Sequence, residues 1–520
     1  MFGIMTAAGA AEVERVYIST DKDAYIAGER IWCSVFCTDA GHSLSPMSAT
    51  AYIELQSESG IVGTAKAALY GGRGAAELQI PADLATGNYR LIGYTAANRS
   101  ENGYDWHEYA KIVSVFNVLT SDRVEKGVEI VEDNEYKRAA GVSSRAIRLD
   151  SDGRIVWTGP EGEAADVSIS ICVEDGIVPA GSCDIRDFTA GRIPASVTYS
   201  DGCIPEFEGE IIHCTVSGGN DGRAAFIATP SEVPDFCTSF VKDGKADFFT
   251  QNFFGDTDIV CQVEKSAPES KIEIISPFAG VTGGNIPALK MSRSISNAII
   301  ERSRVLKEDR MAGVDTLWSY MPDRSRYLMG QAPIQYKLDN YTRFPVMDEV
   351  IIEFITELRV RKDENGNQDV QVKLSDDYGK FYFSSGQSLM MVDGVPVLNH
   401  KAISDYDPLL VESVNIYPYS FFAGDRSFTG AANFVTYKKT FPDVKFDEDV
   451  RIMSFRGASY PASYSGSANT LYWHPLVKVA AGSGTTVECA IPQGVRQIRV
   501  RIEGLTESGK PVLETAVLTK

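Results

Sequence analysis

Residues 388–439, SLMMVDGVPVLNHKAISDYDPLLVESVNIYPYSFFAGDRSFTGAANFVTYKK, write out a small sheet in chain order. Leu389 to Val392 reads as a short apolar strand. Asp393 and Gly394 supply a turn in which φ > 0 is tolerated, and Val395 to Leu398 carries the chain onward. A second strand is expected at Val411 to Tyr417 and a third at Ala431 to Tyr437, which leaves IYPYSFFAGD as a loop between them. Met390, Met391, Val392 and Val395 read as core. Lys438 and Lys439 read as a solvated pair that protects the end of the third strand.

Working outward, the chain has 520 residues, enough for about three to five domains. Hydrophobic residues are 44% and charged residues 23%, a globular balance that excludes a mainly disordered chain. Fifty Lys and Arg against seventy Asp and Glu give a formal charge of −20. Such a field repels nucleic acid and anionic lipid, and no basic patch in the sequence reverses it, so nucleic acid is not an expected partner. No run reaches the roughly 18 apolar residues of a spanning helix, so no transmembrane segment is expected. The start, MFGIMTAAGA, is apolar and ends in small residues, like the tail of a secretory signal.

From Val16 to Asn117 short apolar or alternating runs (VYIST, RIWCSVFCTD, ATAYIELQ, GAAELQIP, NYRLIGYTA, KIVSVFNV) are separated by turn residues, the spacing of a β-sandwich. Two phrases are more specific. STDKDAYIAGERIWCSVF and LQIPADLATGNYRLIGYT resemble the second macroglobulin-type domain (MG2) of the alpha-2-macroglobulin family. There a K-x-x-Y-x-x-G-E entry precedes a long strand and a P-x-x-x-x-x-G-x-Y strand closes the unit. The matching residues are Lys22, Tyr25, Gly28 and Glu29, then Pro81, Gly87 and Tyr89.

Further strands fill residues 119–277, and GEIIHCTV, an Asp243–Gly244 turn and ADFFT look like a carboxypeptidase-regulatory, transthyretin-like sandwich. After Pro277 the glycine-rich loop leads to LKMSRSISNAIIERSRVLKED, in which Met291, Ile295, Ala298 and Ile299 mark the buried stripe of an amphipathic helix. A second helix is expected from Pro345, with Met347, Val350, Ile351, Phe354, Ile355 and Leu358 on one face. The last strands are RIMSF, TLYWHPLVKV, TTVECAIP, RQIRVRIEGL and PVLETAVL.

YTRFPVMDEVIIEFITELRVRK, LMMVDGVPV, DPLLVESVNIYP and FTGAANFVTYK together resemble the plug domain of TonB-dependent outer-membrane receptors. In that family a V-D-G-V-P strand pair precedes a helix and two further strands. The roughly 80 residues that follow are too few for a barrel of at least eight strands, so a receptor's transport function is not implied. The combination resembles exported Gram-negative envelope proteins that join an MG2-type domain to a plug-like domain. The expected fold class is mainly β, with tandem β-sandwich (macroglobulin/Ig-like) domains and a small α+β plug-like domain. The expected divisions are 1–13 (signal remnant), 14–118 (MG2-like sandwich), 119–198 (second macroglobulin-like β unit), 199–277 (transthyretin-like sandwich), 278–335 (helical linker), 336–440 (plug-like) and 441–520 (C-terminal sandwich).

Each catalytic motif fails at a residue. None of the nine cysteines lies in a Gly-Cys-Gly-Glu-Gln thioester run or a C-x-x-C pair, which excludes covalent protease trapping and zinc-type spacing. Six of them fall between Cys172 and Cys261, where local disulfides would form in an oxidising compartment. His107-Glu108 opens like a metalloprotease helix, but Lys111 stands where the second histidine belongs. GLTESGKP nearly spells a phosphate loop, yet Pro511 replaces its Ser or Thr, so a hairpin is the better reading. DENGNQD reads as a polar hairpin loop rather than a calcium site. His42, His107, His213, His400 and His474 are scattered. No catalytic residue, cofactor or metal is therefore assigned, and the chain is expected not to be an enzyme.

The candidate partner-binding residues are the aromatics Tyr417, Tyr419, Phe421 and Phe422, with Tyr460, Tyr464, Tyr472 and Trp473 as a second patch. Aromatic groups on loops bind proteins or sugars by stacking and burial. The function expected is a non-enzymatic envelope scaffold, periplasmic or outer-membrane-associated, that docks an envelope or outer-membrane protein, or one accessory to an outer-membrane transport or assembly system. The alternatives are a thioester-less macroglobulin-like protease inhibitor with its bait in residues 307–335, and an accessory protein that binds polysaccharide.

Overall fold

The computed structural model describes residues 14–99, 101–102, 110–118, 128–136, 144–179, 181, 183–191, 198–199, 206–251, 253–267, 269–280, 285–312, 316–319, 328–362, 366–376, 379–384, 386–424, 426–466 and 469–520. The chain is mainly β and multi-domain, and it divides into two compact units. One comprises residues 1–207, 278–321 and 458–520; the other comprises 208–277 and 322–457. Among the described residues no helix is long and apolar enough to cross a membrane.

The first unit opens on an eight-stranded sheet. Its order is Arg15–Thr20, Arg30–Thr38, Arg73–Gln79, Gly60–Tyr70, Thr50–Ser57, Gly87–Tyr94, Lys111–Phe116 and Ala24–Ile26. The alternation read from the sequence places Val16, Ile18, Ile31, Cys33, Val35, Ile53, Leu55, Leu91 and Val113 in one dry core. A second sandwich in this unit is built from distant segments. Ala165–Val173 lies between Thr470–Val479 and Gln497–Thr506, and Gly484–Val487 pairs with Ile155–Thr158. The expected units 119–198 and 441–520 thus do not stand in series; their strands share one core of Ile169, Ile171, Leu471, Val500 and Ile502.

The second unit holds another sandwich. Ile211–Val216, Lys245–Phe249 and Ile272–Ile274 form one sheet. Ala224–Thr229, Asp235–Phe240 and Asp256–Val263 form the other, which Arg451–Arg456 completes from beyond the expected boundary at 440. Beside it is an α+β body. Its five-stranded sheet runs Ile334–Lys337, Val411–Ala423, Arg426–Thr436, Leu389–Val392 and Val395–Pro396. Helices Met347–Phe354 and His400–Ser404 and the strands Leu358–Lys362 and Gln368–Ser375 share its core, and Phe381–Phe383 pairs with the outer side of Gln368–Ser375.

Leu389–Val392 and the turn appear as read, with Asp393 at φ 48 and Gly394 at φ 79. Three local expectations are corrected. IYPYSFFAGD is not a loop between strands, because the second strand runs on to Ala423 and the third begins at Arg426. Pro418 is accommodated by a register shift between Tyr417 and Ser420, as a residue without an N–H requires. Met291 ends a strand, Leu289–Met291, before the helix Ser296–Ala312 begins, yet it packs with Ile295, Ala298 and Ile299 as foreseen. The second helix starts at Met347 rather than at Pro345.

Candidate functional site

The strand Gln497–Thr506 has one face in a core and one half-buried face. Ile498, Val500 and Ile502 enter the sandwich core, while Arg499, Arg501 and Glu503, at the alternate positions, face the other way. There, with the segment DKDAYIAGE, they form a charged cluster beside a cavity of about 700 Å³. Asp21, Lys22, Asp23, Lys111, Arg302 and Arg501 are among its lining residues.

The K-x-x-Y-x-x-G-E segment closes on itself at this place. Lys22 Nζ lies 3.4 Å from Glu29 Oε1 and 3.5 Å from Asp21 Oδ2. The Tyr25 hydroxyl is 2.8 Å from Asp21 Oδ1, and the Ile26 N–H donates to Glu29 Oε2 at 2.7 Å. Gly28, at φ 93, makes the turn that brings Glu29 back. Lys, Tyr, Gly and Glu at that spacing are thus one ion-paired loop.

The remaining charges are paired likewise. Lys111 Nζ and Arg501 approach Asp23 at 3.2 Å and 3.0 Å. Arg501 also meets Glu503 at 3.0 Å, Arg302 donates from Nε to Asp175 at 2.9 Å, and Arg499 pairs with Glu174. Burial works to raise the Asp23 carboxyl, but Lys111 and Arg501 outweigh it and hold the group well below the usual carboxylate range. Glu503 follows the same pattern: burial opposes ionisation, and Arg501 and Lys111 prevail. Burial lowers Lys22, yet Glu29 and Asp21 leave it raised overall. Two thiols line the cavity, and burial pushes Cys172 and Cys183 up to about 12.

The aromatic candidates lie in different surroundings. Tyr417 (1% exposed) and Phe421 are buried with Phe428 and Met391. Tyr419 is half-buried, and its hydroxyl donates to the Gln331 carbonyl. Phe422, 73% exposed, is the one of this group open to solvent. In the second group Trp473 (1% exposed) and Tyr464 pack on Trp32 with ring centroids 5.4 Å and 4.5 Å away. Tyr460 is buried against Tyr70, and Tyr472 is half-buried beside the C-terminal core. The expectation of an exposed patch is therefore corrected for the buried rings: Tyr464 and Trp473 fill space between sheets of the first unit, and Tyr417 and Phe421 belong to a core of the second, while Phe422 stays exposed.

The histidine-metalloprotease start at His107 lies outside the described residues, as does part of DENGNQD. GLTESGKP is a hairpin turn, closed by the Thr506 N–H on the Lys510 carbonyl. Residues 307–312 of the expected bait segment are helical, and the Arg310 guanidinium donates to the Gly28 carbonyl; residues 313–315 and 320–327 lie outside the described set.

Sequence reasoning missed two features. Arg499, Arg501 and Glu503 alternate in QIRVRIEGL, a pattern that marks a charged face. In the sequence Asp393 reads only as a turn former, yet its carboxylate is wholly buried. It accepts from the Thr436 N–H (2.6 Å), the Thr436 hydroxyl (2.6 Å) and the Phe441 N–H (2.7 Å). The Ser231 N–H donates to the Asp393 carbonyl at 2.8 Å, so the V-D-G-V-P turn is seated on the neighbouring sandwich of its unit.

The fold defines a mainly β protein of several sandwiches joined to an α+β body. No protein-family model matches the chain, and no curated protein matches it. Among solved structures it is similar to trypsin-activated alpha-2-macroglobulin of Escherichia coli, at 9% identity and TM-score 0.26, over 99% of this chain and 42% of that one. A Salmonella alpha-2-macroglobulin mutant gives 9% identity and TM-score 0.25, over 98% and 40%. The Escherichia coli adhesin FdeC gives 13% identity and TM-score 0.15, over 51% and 64%. The chain spans about two fifths of the length of those macroglobulins.

Proposed function

We infer that this chain is a non-enzymatic, exported cell-envelope protein that docks protein partners at the outer membrane, as a scaffold or as an accessory to a transport or assembly system. The observation that supports the reading best is the state of the ionisable groups around the cavity. Catalysis needs an acid, base or nucleophile free to change state near the working pH. Here Lys22, Lys111, Arg302, Arg499 and Arg501 each face a carboxylate of the same cluster, and the two thiols are held protonated by burial. The cluster behaves as structural cement between sheets, and sheet edges and loops are left as the working surface. The envelope location rests on the joined MG2-type and plug-like sequence resemblances.

The rival readings have less support. Trp473 and Tyr464 are packed against Trp32, which removes two of the rings a sugar would stack on. The first residues of the bait segment are helical. Cross-linking and pull-down from native Gram-negative envelopes test the docking reading. Recovery of a saturable outer-membrane protein partner is expected, and its absence in repeated captures would overturn the proposal.

A further inference from the structure

The sheet Leu358–Lys362, Gln368–Ser375, Phe381–Phe383 has two outer edges of opposite character. The first carries the exposed Arg361 and Lys362, charges that discourage further strand pairing. The other carries three consecutive aromatics. Phe381 is 45% and Tyr382 51% exposed, and among the described residues no strand pairs with the outer side of this edge.

The register decides where its backbone groups point. Lys373 lies opposite Phe383, Leu374 opposite Tyr382 and Ser375 opposite Phe381. The Lys373 N–H donates to Glu357 O at 2.8 Å, away from the aromatic strand, while the Asp376 N–H donates to Lys380 O at 2.9 Å. Antiparallel partners alternate between bonded and non-bonded pairs. Leu374 and Tyr382 are therefore the bonded pair, and the N–H and C=O groups of Phe381 and Phe383 point out of the sheet.

Cations stand above this edge. The Arg359 guanidinium reaches across the central strand, donating to Gln371 Oε1, and lies 3.3 Å from the centroid of Phe383. Lys373 Nζ is 5.4 Å from the same ring. Asp369, on the same face, lies beside His400 and accepts from Gln371. Among the described residues neither Arg359 nor Lys373 is within ion-pair distance of a carboxylate. A strand added to the edge would run about 4.8 Å from Phe381–Phe383, within reach of both cations.

We propose that the Phe381–Phe383 edge receives an extended acidic segment of a partner protein by strand addition, its alternate carboxylates meeting Arg359 and Lys373. The proposal rests on the docking reading above and names the partner's chemistry. It is tested on the full chain by fluorescence anisotropy with a labelled Glu-Thr-Glu-Val-Glu-Thr-Glu peptide and its Lys-for-Glu counterpart, at low and high salt. Since the outward N–H of Phe381 takes no part in the sheet, Phe381→Pro is expected to keep the fold and weaken acidic-peptide binding by about tenfold. Arg359→Gln with Lys373→Gln is expected to weaken it by about fivefold to twentyfold and to flatten its salt dependence. Thermal melts establish that each variant is folded, and Phe383→Pro replaces Phe381→Pro if that variant is not. Equal binding of both peptides, no binding of either, or undiminished binding by a folded proline variant would each overturn the proposal. Pull-downs separate it from the docking reading: identical partners captured by the wild-type chain and the proline variant leave docking intact and remove this edge.

Discussion

Glu503 shows how one carboxylate can join two sheets. It accepts from the Tyr17 hydroxyl (2.6 Å), the Ser19 hydroxyl (2.6 Å) and the Ile185 N–H (3.1 Å), and it pairs with Arg501. Glu503→Gln keeps the shape but removes the charge that Arg501 faces in a buried site, a change expected to cost about 3–5 kcal/mol; urea unfolding measures it. The folded-state pKa values of Asp23 and Glu503 lie below their ordinary values. Their contribution is therefore complete above about pH 5 and declines as pH falls through about 4 and below. The melting midpoint is expected to drop between pH 5 and pH 3, less steeply in Glu503→Gln, and a parallel pH profile in the two proteins would exclude this linkage. Asp393→Asn makes the same kind of test in the second unit. Asn tolerates the left-handed backbone at φ 48, but its amide would turn a donor toward the Phe441 or Thr436 donors. One buried group is then unmatched, at about 1–3 kcal/mol.

Among the elements, what was legible in the sequence was local. Leu389–Val392, the Asp393–Gly394 turn and the 504–511 hairpin follow from strand period and turn chemistry within a few residues. The second strand is expected to end at Tyr417 because Pro418 and Ser420 break the alternation, whereas it runs to Ala423 through a register shift that absorbs them. Burial of Tyr464 and Trp473 was illegible for a different reason: their partner Trp32 lies more than 400 residues away. Of the charged site, the K-x-x-Y-x-x-G-E loop was found through its resemblance, whereas its ion partners on Gln497–Thr506 come from the far end of the chain. The helix Ser296–Ala312 supplies an element-level test. Ile299 and, in the turn just before the helix, Ile295 pack with Leu289 and Phe116, and Arg302 anchors the helix to Asp175. Trypsin is therefore expected to cut slowly after Lys307 and Arg310 in the folded chain, and Arg302→Ala is expected to accelerate cleavage there by freeing the helix to open locally. Rapid cutting at both residues in the wild-type chain, with inhibition of the protease, would restore the inhibitor reading.

Across the full chain, the order of segments and the order of packing differ, and this has a thermodynamic consequence. Ala165–Val173 is flanked on both sides by strands from residues 470–506. A chain ending near residue 457 would leave Ile169 and Ile171 without the core they share with Leu471, Val500 and Ile502. Among the described residues five strands of the first unit would be gone, including both neighbours of Ala165–Val173, while every strand of the second unit, through Arg451–Arg456, would remain. The cores of the second unit, including those of Ile227 with Phe455 and of Met390 with Ile416, draw on residues 208–277 and 322–457. Calorimetry of the intact chain is therefore expected to resolve two transitions, one lowered by Glu503→Gln and the other by Asp393→Asn. The chain cut at residue 457 should lose the first and keep the second. A single transition shifted equally by both substitutions would mean that the two units unfold as one, and the truncated chain would then show no cooperative transition.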